Sequence, residues 1–161
     1  MKTTILSCLI SFLSFSFFAQ ETQILTEEQN KAWVQELQQE KKLDDQLEQL
    51  RDRLSSDSSV YFRFTSNPHG KDASVSGENK EETRHRPIYF FSFPEGDLVV
   101  PSNPSEEYLA SLQEVLQSEH ITNIKITTGV MANALYGSRG TPGVIEIEVR
   151  DKAVVSGLPG L

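Results

Sequence analysis

The chain has 161 residues, with 23 acidic and 15 basic side chains and a formal net charge of −8 at pH 7. This length suits one globular domain, and an acidic chain repels phosphate backbones, which excludes nucleic acid as the expected partner. The single cysteine, Cys8, lies in a segment that we expect to be removed, so disulfides, thiolate metal sites and thiol catalysis are excluded for the mature protein.

Residues 1–19 have the pattern of a secretory signal peptide. Lys2 gives a positive start, an apolar run covers residues 5–18, and Ala19 is a small residue at the expected cleavage point. The run is shorter than the ~20 residues that a membrane-spanning helix needs. Almost no apolar run precedes Cys8, which argues against a lipoprotein signal. We therefore expect an exported chain that retains no transmembrane span.

Residues 20–59 are predicted to form an N-terminal helical segment, most of it a single long amphipathic helix. Thr26 and Gln29 make a capping box at its start, and neither proline nor glycine interrupts residues 27–54. An apolar stripe follows the helix, formed by Trp33, Leu37, Leu43, Leu47, Leu50 and Leu54. The stripe has two interpretations, docking on the chain's own domain or contact with a second chain. Under the second interpretation, the contact residues are Trp33, Leu37, Leu43, Leu47 and Leu50.

A short strand and a long loop are predicted next. Residues 60–64 are β-branched and aromatic, which predicts the strand. Residues 65–86 are polar with almost no apolar side chains, which predicts an exposed and flexible loop. His69 and His85 lie in this loop, but their spacing fits no metal-binding motif. We expect solvated histidines and neither a metal nor a cofactor.

The next predicted elements are two strands and a helix. Residues 87–93, PIYFFSF, are the most apolar strand candidate, and residues 97–100 predict a short strand after a turn. Pro104 suits a first helical position. Apolar residues recur at helical spacing behind it, so residues 104–119 predict a helix that covers one face of the sheet.

Residues 121–150 have a glycine-rich middle between two strand patterns. Apolar and polar residues alternate on both sides of it, with apolar positions at Ile124, Ile126, Ile145, Ile147 and Val149. In the middle, residues 131–136 predict one helical turn, which Gly137 ends in the left-handed conformation. We expect the glycines of this stretch to serve backbone geometry.

A set of ten residues lies in this middle and at the start of the second strand: Ala134, Leu135, Tyr136, Gly137, Ser138, Arg139, Gly140, Gly143, Val144 and Ile145. It resembles the last segment of the plug domain of TonB-dependent outer-membrane receptors, most closely their SusC-like branch. Residues 86–89, Arg-Pro-Ile-Tyr, are similar to the family's upstream strand. The resemblance implies a plug-like domain over residues 60–150, in which the ten motif residues are mainly structural.

Other features of the receptor family are weaker or missing in this chain. A loose similarity to the TonB box, the segment through which receptors contact TonB, is carried by Glu21, Thr22, Ile24 and Leu25. A barrel of 22 strands, at roughly 9–11 residues per strand, needs at least about 200 residues. Only residues 151–161 follow the plug-like domain, and we expect them to form a loose tail. The chain is therefore expected to act without a barrel of its own.

The sequence contains no catalytic constellation that we can support. Residues 137–140 are one residue short of the G-x-S-x-G nucleophile elbow, and a strand follows them where the elbow needs a helix. Glu146 and Glu148 lie on one strand face, about 7 Å apart by strand geometry. Such a pair serves glycosidases, but solvated glutamates are the interpretation that we favour. We expect no enzyme.

The fold prediction is α+β, a small mixed β-sheet with one packed helix behind a long N-terminal helix. The functional prediction is a non-enzymatic exported protein at the periplasmic side of an outer membrane, which works by protein–protein contact in receptor-mediated uptake. Its expected partner is an outer-membrane barrel, a TonB-type protein, or a second copy through the N-terminal helix. The alternative is a periplasmic or secreted module that binds a small ligand or glycan through the plug fold.

Overall fold

The computed structural model describes residues 26–58, 60–62, 81–83 and 85–158. The helices in these ranges are α1 (Glu27–Gln39), α2 (Leu43–Asp57), α3 (Glu106–Val115), α4 (Gly129–Tyr136) and α5 (Lys152–Val155). The strands are β1 (Val60–Phe62), β2 (Glu81–Thr83), β3 (Ile88–Phe93), β4 (Gly96–Val99), β5 (Ile121–Thr127) and β6 (Val144–Val149). The predicted α+β fold with a small mixed sheet is confirmed.

Four strands form the main sheet, in the order β4-β3-β6-β5. The central strands β3 and β6 run parallel, and the edge strands β4 and β5 are antiparallel to their neighbours. Because parallel neighbours need a long connection, the chain between β3 and β6 holds β4, α3, β5 and α4. The short strands β1 and β2 pair with each other in parallel, outside this sheet.

The two faces of the sheet have different neighbours. Residues along a strand alternate between the faces, and the register sets Phe91 beside Ile147 on one face and Phe90 beside Glu146 on the other. The face that we call the covered face carries a large buried cluster, which includes Tyr89, Phe91, Ile124, Ile145, Ile147 and Val149. The opposite face, the open face, carries a small cluster of Ile88, Phe90 and Val144 that contacts Ala132 of α4.

The helices α1, α2 and α3 provide most of the layer over the covered face. Their buried side chains are Val34 and Leu37 of α1, Leu47, Leu50 and Leu54 of α2, and Tyr108, Leu112 and Val115 of α3. Burial of one such side chain contributes about 1.5–3 kcal/mol relative to leaving it in water. This layer, together with the sheet, is therefore the main source of the domain's stability.

The N-terminal segment forms two helices, where the sequence predicts one. No apolar residue lies between Leu37 and Leu43, so a continued helix would turn polar side chains toward the core. The chain breaks instead at Glu40, whose carboxylate accepts hydrogen bonds from the next two backbone N–H groups, at 2.7 and 3.1 Å. The Gln46 side chain donates to the carbonyl oxygens of Leu37 and Glu40, which satisfies the end of α1. The predicted capping box at Thr26 is present.

The helix α3 is shorter than the predicted range of residues 104–119. It begins after Ser105, whose Oγ accepts a hydrogen bond from the backbone N–H of Tyr108 at 3.1 Å. The side chain of Ser105 therefore supplies the N-cap, and Pro104 lies one position before it.

The prediction of a loose tail is wrong for residues 152–158. Val155 and Leu158 are buried against the covered face. Asp151 begins α5 because its carboxylate accepts a hydrogen bond from the backbone N–H of Ala153 at 2.8 Å. Val155 at the end of this short helix and Leu158 just after it complete the core.

The predicted flexible loop over residues 65–86 lies mostly outside the described residues, and so does His69. Its described part contains β2, a strand that the sequence does not predict. The loop prediction is also wrong at its last residue, because Arg86 is 7 % exposed and bonded on several sides. The Nδ1 atom of His85 lies 3.5 Å from the carboxylate of Glu27.

Candidate functional site

The helix α4 and the turn after it form the connection between β5 and β6. The helix begins at Gly129 and is followed at once by a 3-10 helix, Gly137–Gly140. Gly129 and Gly137 both have a φ of +62°, a value that glycine adopts without steric cost. The predicted turn over residues 131–136 is therefore part of a longer helix, which ends at Gly137 as the sequence predicts.

The larger apolar side chains of α4 point toward solvent. Val130 is 87 % exposed, Met131 61 % and Leu135 65 %, and Ala134 is exposed beside them. These residues occupy positions i, i+1, i+4 and i+5, so they lie on one side of the helix. We call this set the α4 stripe. An apolar stripe of this width on a helix normally faces a protein core.

Small residues hold α4 against the open face. Ala132 is the buried residue of the helix and contacts the open-face cluster. Gly140 comes so close to it that a Cβ there would overlap the backbone carbonyl of Ala132. Tyr136 lies beside Phe90, with ring centroids 6.3 Å apart. Because these contacts fix the helix, the side chains of the α4 stripe remain outside.

The apolar surface continues onto the open face of the sheet. Val99 of β4 is 58 % exposed and pairs with Phe90, and Tyr136, which lies beside that ring, is partly exposed. Isolated exposed apolar residues are ordinary on protein surfaces, whereas a group of neighbours marks an interaction site. The α4 stripe and the adjoining Tyr136 are such a group.

Charge is distributed unevenly around this surface. Residues 129–143 contain no acidic residue and a single basic one, Arg139, although the chain has 23 acidic side chains. Arg139 also lines a cleft beside β3, together with Arg86. The segment that contains α4 therefore carries few charges, in a chain that is otherwise acidic.

The two glutamates considered as a catalytic pair lie on the open face next to Lys125 of β5. The Nζ atom of Lys125 donates a hydrogen bond to Glu148 and lies 3.8 Å from Glu146. This hydrogen bond holds the pKa of Glu148 below its usual value, whereas a general acid at neutral pH needs a raised pKa. The arrangement is that of a surface ion-pair group.

The ten motif residues divide by position into three groups. The backbone-shaping group is Gly137, Gly140 and Gly143, the last with a φ of +125°. The strand group is Val144 and Ile145, which are buried at the start of β6. The remaining five are exposed at the surface: Ala134, Leu135, Tyr136, Ser138 and Arg139. Exposure of Leu135 does nothing for the stability of the domain, so a purely structural role does not account for this residue, whereas Tyr136 packs beside Phe90.

The residues predicted to contact a second chain lie mainly in the chain's own core. Leu37, Leu47 and Leu50 are fully buried, and Trp33 and Leu43 are partly buried against the same cluster. In the structure, the N-terminal apolar stripe therefore packs against the chain's own domain, which is the first of the two interpretations. The TonB-box-like residues lie outside the described residues; they are Glu21, Thr22, Ile24 and Leu25.

Sequence reasoning missed Val130 and Met131. The signal for them is present, because two apolar pairs four positions apart, Val130–Met131 and Ala134–Leu135, occupy one side of a short helix. The prediction assigns the glycines of this segment to backbone geometry and gives only one helical turn between them, so it does not recognise an apolar helix face.

No protein family, curated protein or solved structure matches the chain. Among the described residues, no group of three His, Cys, Asp or Glu side chains is placed to hold a metal ion. Nor does any helix in the described ranges have the length and apolar character to cross a membrane.

Proposed function

We propose that the chain is a non-enzymatic exported protein with a plug-like domain, which acts by protein–protein contact at the periplasmic side of an outer membrane. The observation that carries the proposal is the α4 stripe. Its side chains would lose contact with water on binding, at roughly 25 cal/mol per Å² of apolar area. The α4 stripe therefore offers a source of binding energy that the folded domain leaves unused.

The sequence supports the location and the type of partner. Residues 1–19 have the signal pattern, and five exposed motif residues belong to the segment that resembles the plug domain. The proposed partner is an outer-membrane barrel or a TonB-type protein, engaged in receptor-mediated uptake. The contact surface that we propose is the α4 stripe, since the leucines of the N-terminal helices are buried in the core.

The test is an affinity pull-down of a C-terminally tagged chain from gently solubilised envelopes of the native organism, read by mass spectrometry. One variant carries Met131→Glu and Leu135→Glu on the α4 stripe. The matched control carries Gln35→Glu and Gln38→Glu at exposed positions of α1. Both variants add the same charge to an exposed helix face, so they differ only in the surface that they change.

We expect the wild type and the control to enrich an outer-membrane barrel or a TonB-type protein, and the α4 variant to lose it. Recovery of the wild-type chain alone from the soluble periplasm would overturn the proposal. Equal loss in the two variants would show that the α4 stripe is not the contact surface.

The second candidate function is a periplasmic or secreted module that binds a small ligand or glycan. A specific observation favours it, the cleft beside β3 that Arg86 and Arg139 line. Under this function, the isolated chain binds solutes without a protein partner. Solute binding together with a negative pull-down would favour it over protein contact.

A further inference from the structure

The helix α4 projects from the body of the domain. Of its eight residues, only Ala132 is buried, and the other seven are exposed. The helices α1, α2 and α3 bury three, four and three residues. Most of the circumference of α4 therefore faces water, and a partner can approach this helix from more than one side.

Contacts at its C-terminal end hold α4 in one position. An isolated helix of eight residues is too short to be stable in water. Here the 3-10 turn packs back on the helix, because Gly140 lies against the carbonyl of Ala132. The Oγ1 atom of Thr141 also donates a hydrogen bond to Oδ1 of Asn133 at 3.1 Å. Since the helix is already ordered in the folded chain, a partner does not have to order it, which lowers the cost of association.

The α4 stripe is wider than the contact between two helices requires. With 3.6 residues per turn, its edge residues Val130 and Leu135 lie about 140° apart around the helix axis. A helix that packs along one other helix needs only a narrow seam, whereas a stripe of this width is typical of a helix that is set into a core. A flat surface that covered one edge of the stripe would leave the other edge in water. The stripe therefore fits a concave surface.

The size and charge of the surface argue against a second copy of this chain as the partner. At 1.5 Å per residue, α4 is only about 12 Å long, and two convex helices that meet cover little of each other. A stable interface buries about 800 Å² on each side. Two copies, each with a formal net charge of −8, would also repel each other. A groove that encloses the helix covers more of its surface than a second convex helix does.

We infer that α4 binds as a helix in a groove, and that the surface which covers it is an apolar groove on the partner protein. Helices recognised in this way place apolar side chains one turn apart in the groove. The α4 stripe consists of two such pairs, Val130 with Ala134 and Met131 with Leu135. Residues 129–143 contain no acidic side chain, so the groove needs no basic residue to pair with them. This inference rests on the proposed function and deepens it, because it names the shape and chemistry of the partner's site.

The test is site-specific photo-crosslinking of the full chain in envelopes of the native organism. The photoreactive residue p-benzoylphenylalanine replaces one side chain at a time, at Val130, Met131 or Leu135. The matched control position is Ala110, an exposed residue of α3. All four positions are exposed, so circular dichroism should show unchanged folding. Mass spectrometry then identifies the crosslinked peptides of the partner.

We expect positions 130 and 135 to crosslink to the same protein, at residues on opposite walls of one apolar groove, and position 110 to give no crosslink to it. The pattern of crosslinks carries the result, and capture of a protein alone does not. Val130→Asp and Leu135→Asp should each weaken capture of this protein by at least about tenfold, because a groove covers both edges of the stripe. Ala110→Asp should leave capture unchanged.

Crosslinks from one edge of the stripe only, or from neither edge, would overturn the inference. Crosslinks to a second copy of the chain would overturn it as well, and sedimentation equilibrium would then show a dimer that Leu135→Asp abolishes. Either result together with a barrel or TonB-type protein in the pull-down would leave the proposed function intact. Crosslinks from both edges to a groove on a protein of another class would support the groove and overturn the proposed partner.

Discussion

Two regions of the molecule carry apolar stripes on helices, and they have opposite environments. In the N-terminal layer, the leucines of α1 and α2 are buried on the covered face of the sheet. In α4, Val130, Met131 and Leu135 are exposed, although this helix lies against the same sheet. The sequence leaves two interpretations for the first region, docking on the chain's own domain or contact with a second chain, and in the structure it is docked. For the second region the sequence predicts backbone geometry, and the structure shows exposed apolar side chains in addition.

The two regions show that an apolar stripe on a helix does not by itself determine whether the stripe is buried in the chain's own core or exposed. The covered face has an apolar residue at each inward position of β3 and β6, so it needs a layer of helices above it. The open face carries the charged side chains of Glu146, Glu148 and Lys125. Because these side chains are stable in contact with water, this face has less apolar area to bury. The helix α4 packs against the small apolar cluster of this face through Ala132, and its larger apolar side chains remain exposed.

The largest loss of stability is expected at a buried charge cluster in which Asp57 of α2 pairs with Arg53 and with Arg86, just before β3. This cluster joins the N-terminal helices to the sheet. Asp57→Ala should lower the free energy of unfolding by about 3–5 kcal/mol, because it leaves two buried guanidinium groups without their carboxylate. Urea denaturation measures the loss. The control is Asp52→Ala on the exposed side of α2, for which we expect a change within about 0.5 kcal/mol. Similar values for both would mean that the cluster does not join the two layers.

The two stripes are compared directly by truncating one leucine in each. Leu50→Ala should cost about 2–5 kcal/mol, because it opens a cavity in the core. Leu135→Ala should change stability by no more than about 0.5 kcal/mol, because its side chain is already in water. Thermal or chemical denaturation of the two variants measures both changes in stability. A large cost at Leu135 would show that α4 is covered within the chain.

A smaller effect is expected at the contact that fixes α4. Gly140→Ala should cost about 1–3 kcal/mol, because the new Cβ overlaps the carbonyl of Ala132. Gly157→Ala is the matched control, since a Cβ there meets nothing within 4 Å. Chemical denaturation that gives equal values for the two variants would contradict the close approach of the 3-10 turn to α4.

The smallest effect concerns the ion pairs of the open face. Because the pKa of Glu148 is lowered in the folded protein, its pairing with Lys125 stabilises the fold above the usual pKa of 4.5 and is lost as the pH falls through the lowered value. Glu148→Gln should therefore be less stable than the wild type at pH 7, and the difference should shrink in acid. Urea denaturation at pH 7 and pH 3 tests this, with Glu114→Gln on α3 as control.

Much of the fold follows from patterns in the sequence. The alternation in β6 predicts burial of Ile145, Ile147 and Val149, and the capping box at Thr26 predicts the start of α1; both are observed. These features depend on neighbouring residues, which is why periodicity and capping chemistry identify them.

The features that the sequence does not predict depend on contacts between distant parts of the chain. The break at Glu40 needs the Gln46 side chain to satisfy the end of α1. The burial of Leu158 needs a gap beside the sheet, and the cleft needs Arg86 and Arg139 from separate segments. The gap and the cleft are not visible before the strands are placed side by side, and the break at Glu40 depends on a side-chain contact that helical periodicity does not mark. The exposure of the α4 stripe belongs with them, because it reflects which face the helix reaches.

The parallel pairing of β3 and β6 also makes the central sheet depend on contacts between distant parts of the chain. Ile88 pairs with Val144 across a long stretch of chain, and closing so large a loop costs entropy before any contact repays it. The helices α1 and α2 are therefore synthesised well before β6, the strand that completes the face on which they pack. Until residue 149 arrives, the leucines of α1 and α2 have no sheet to rest on, so the nascent chain remains a substrate for chaperones and proteases.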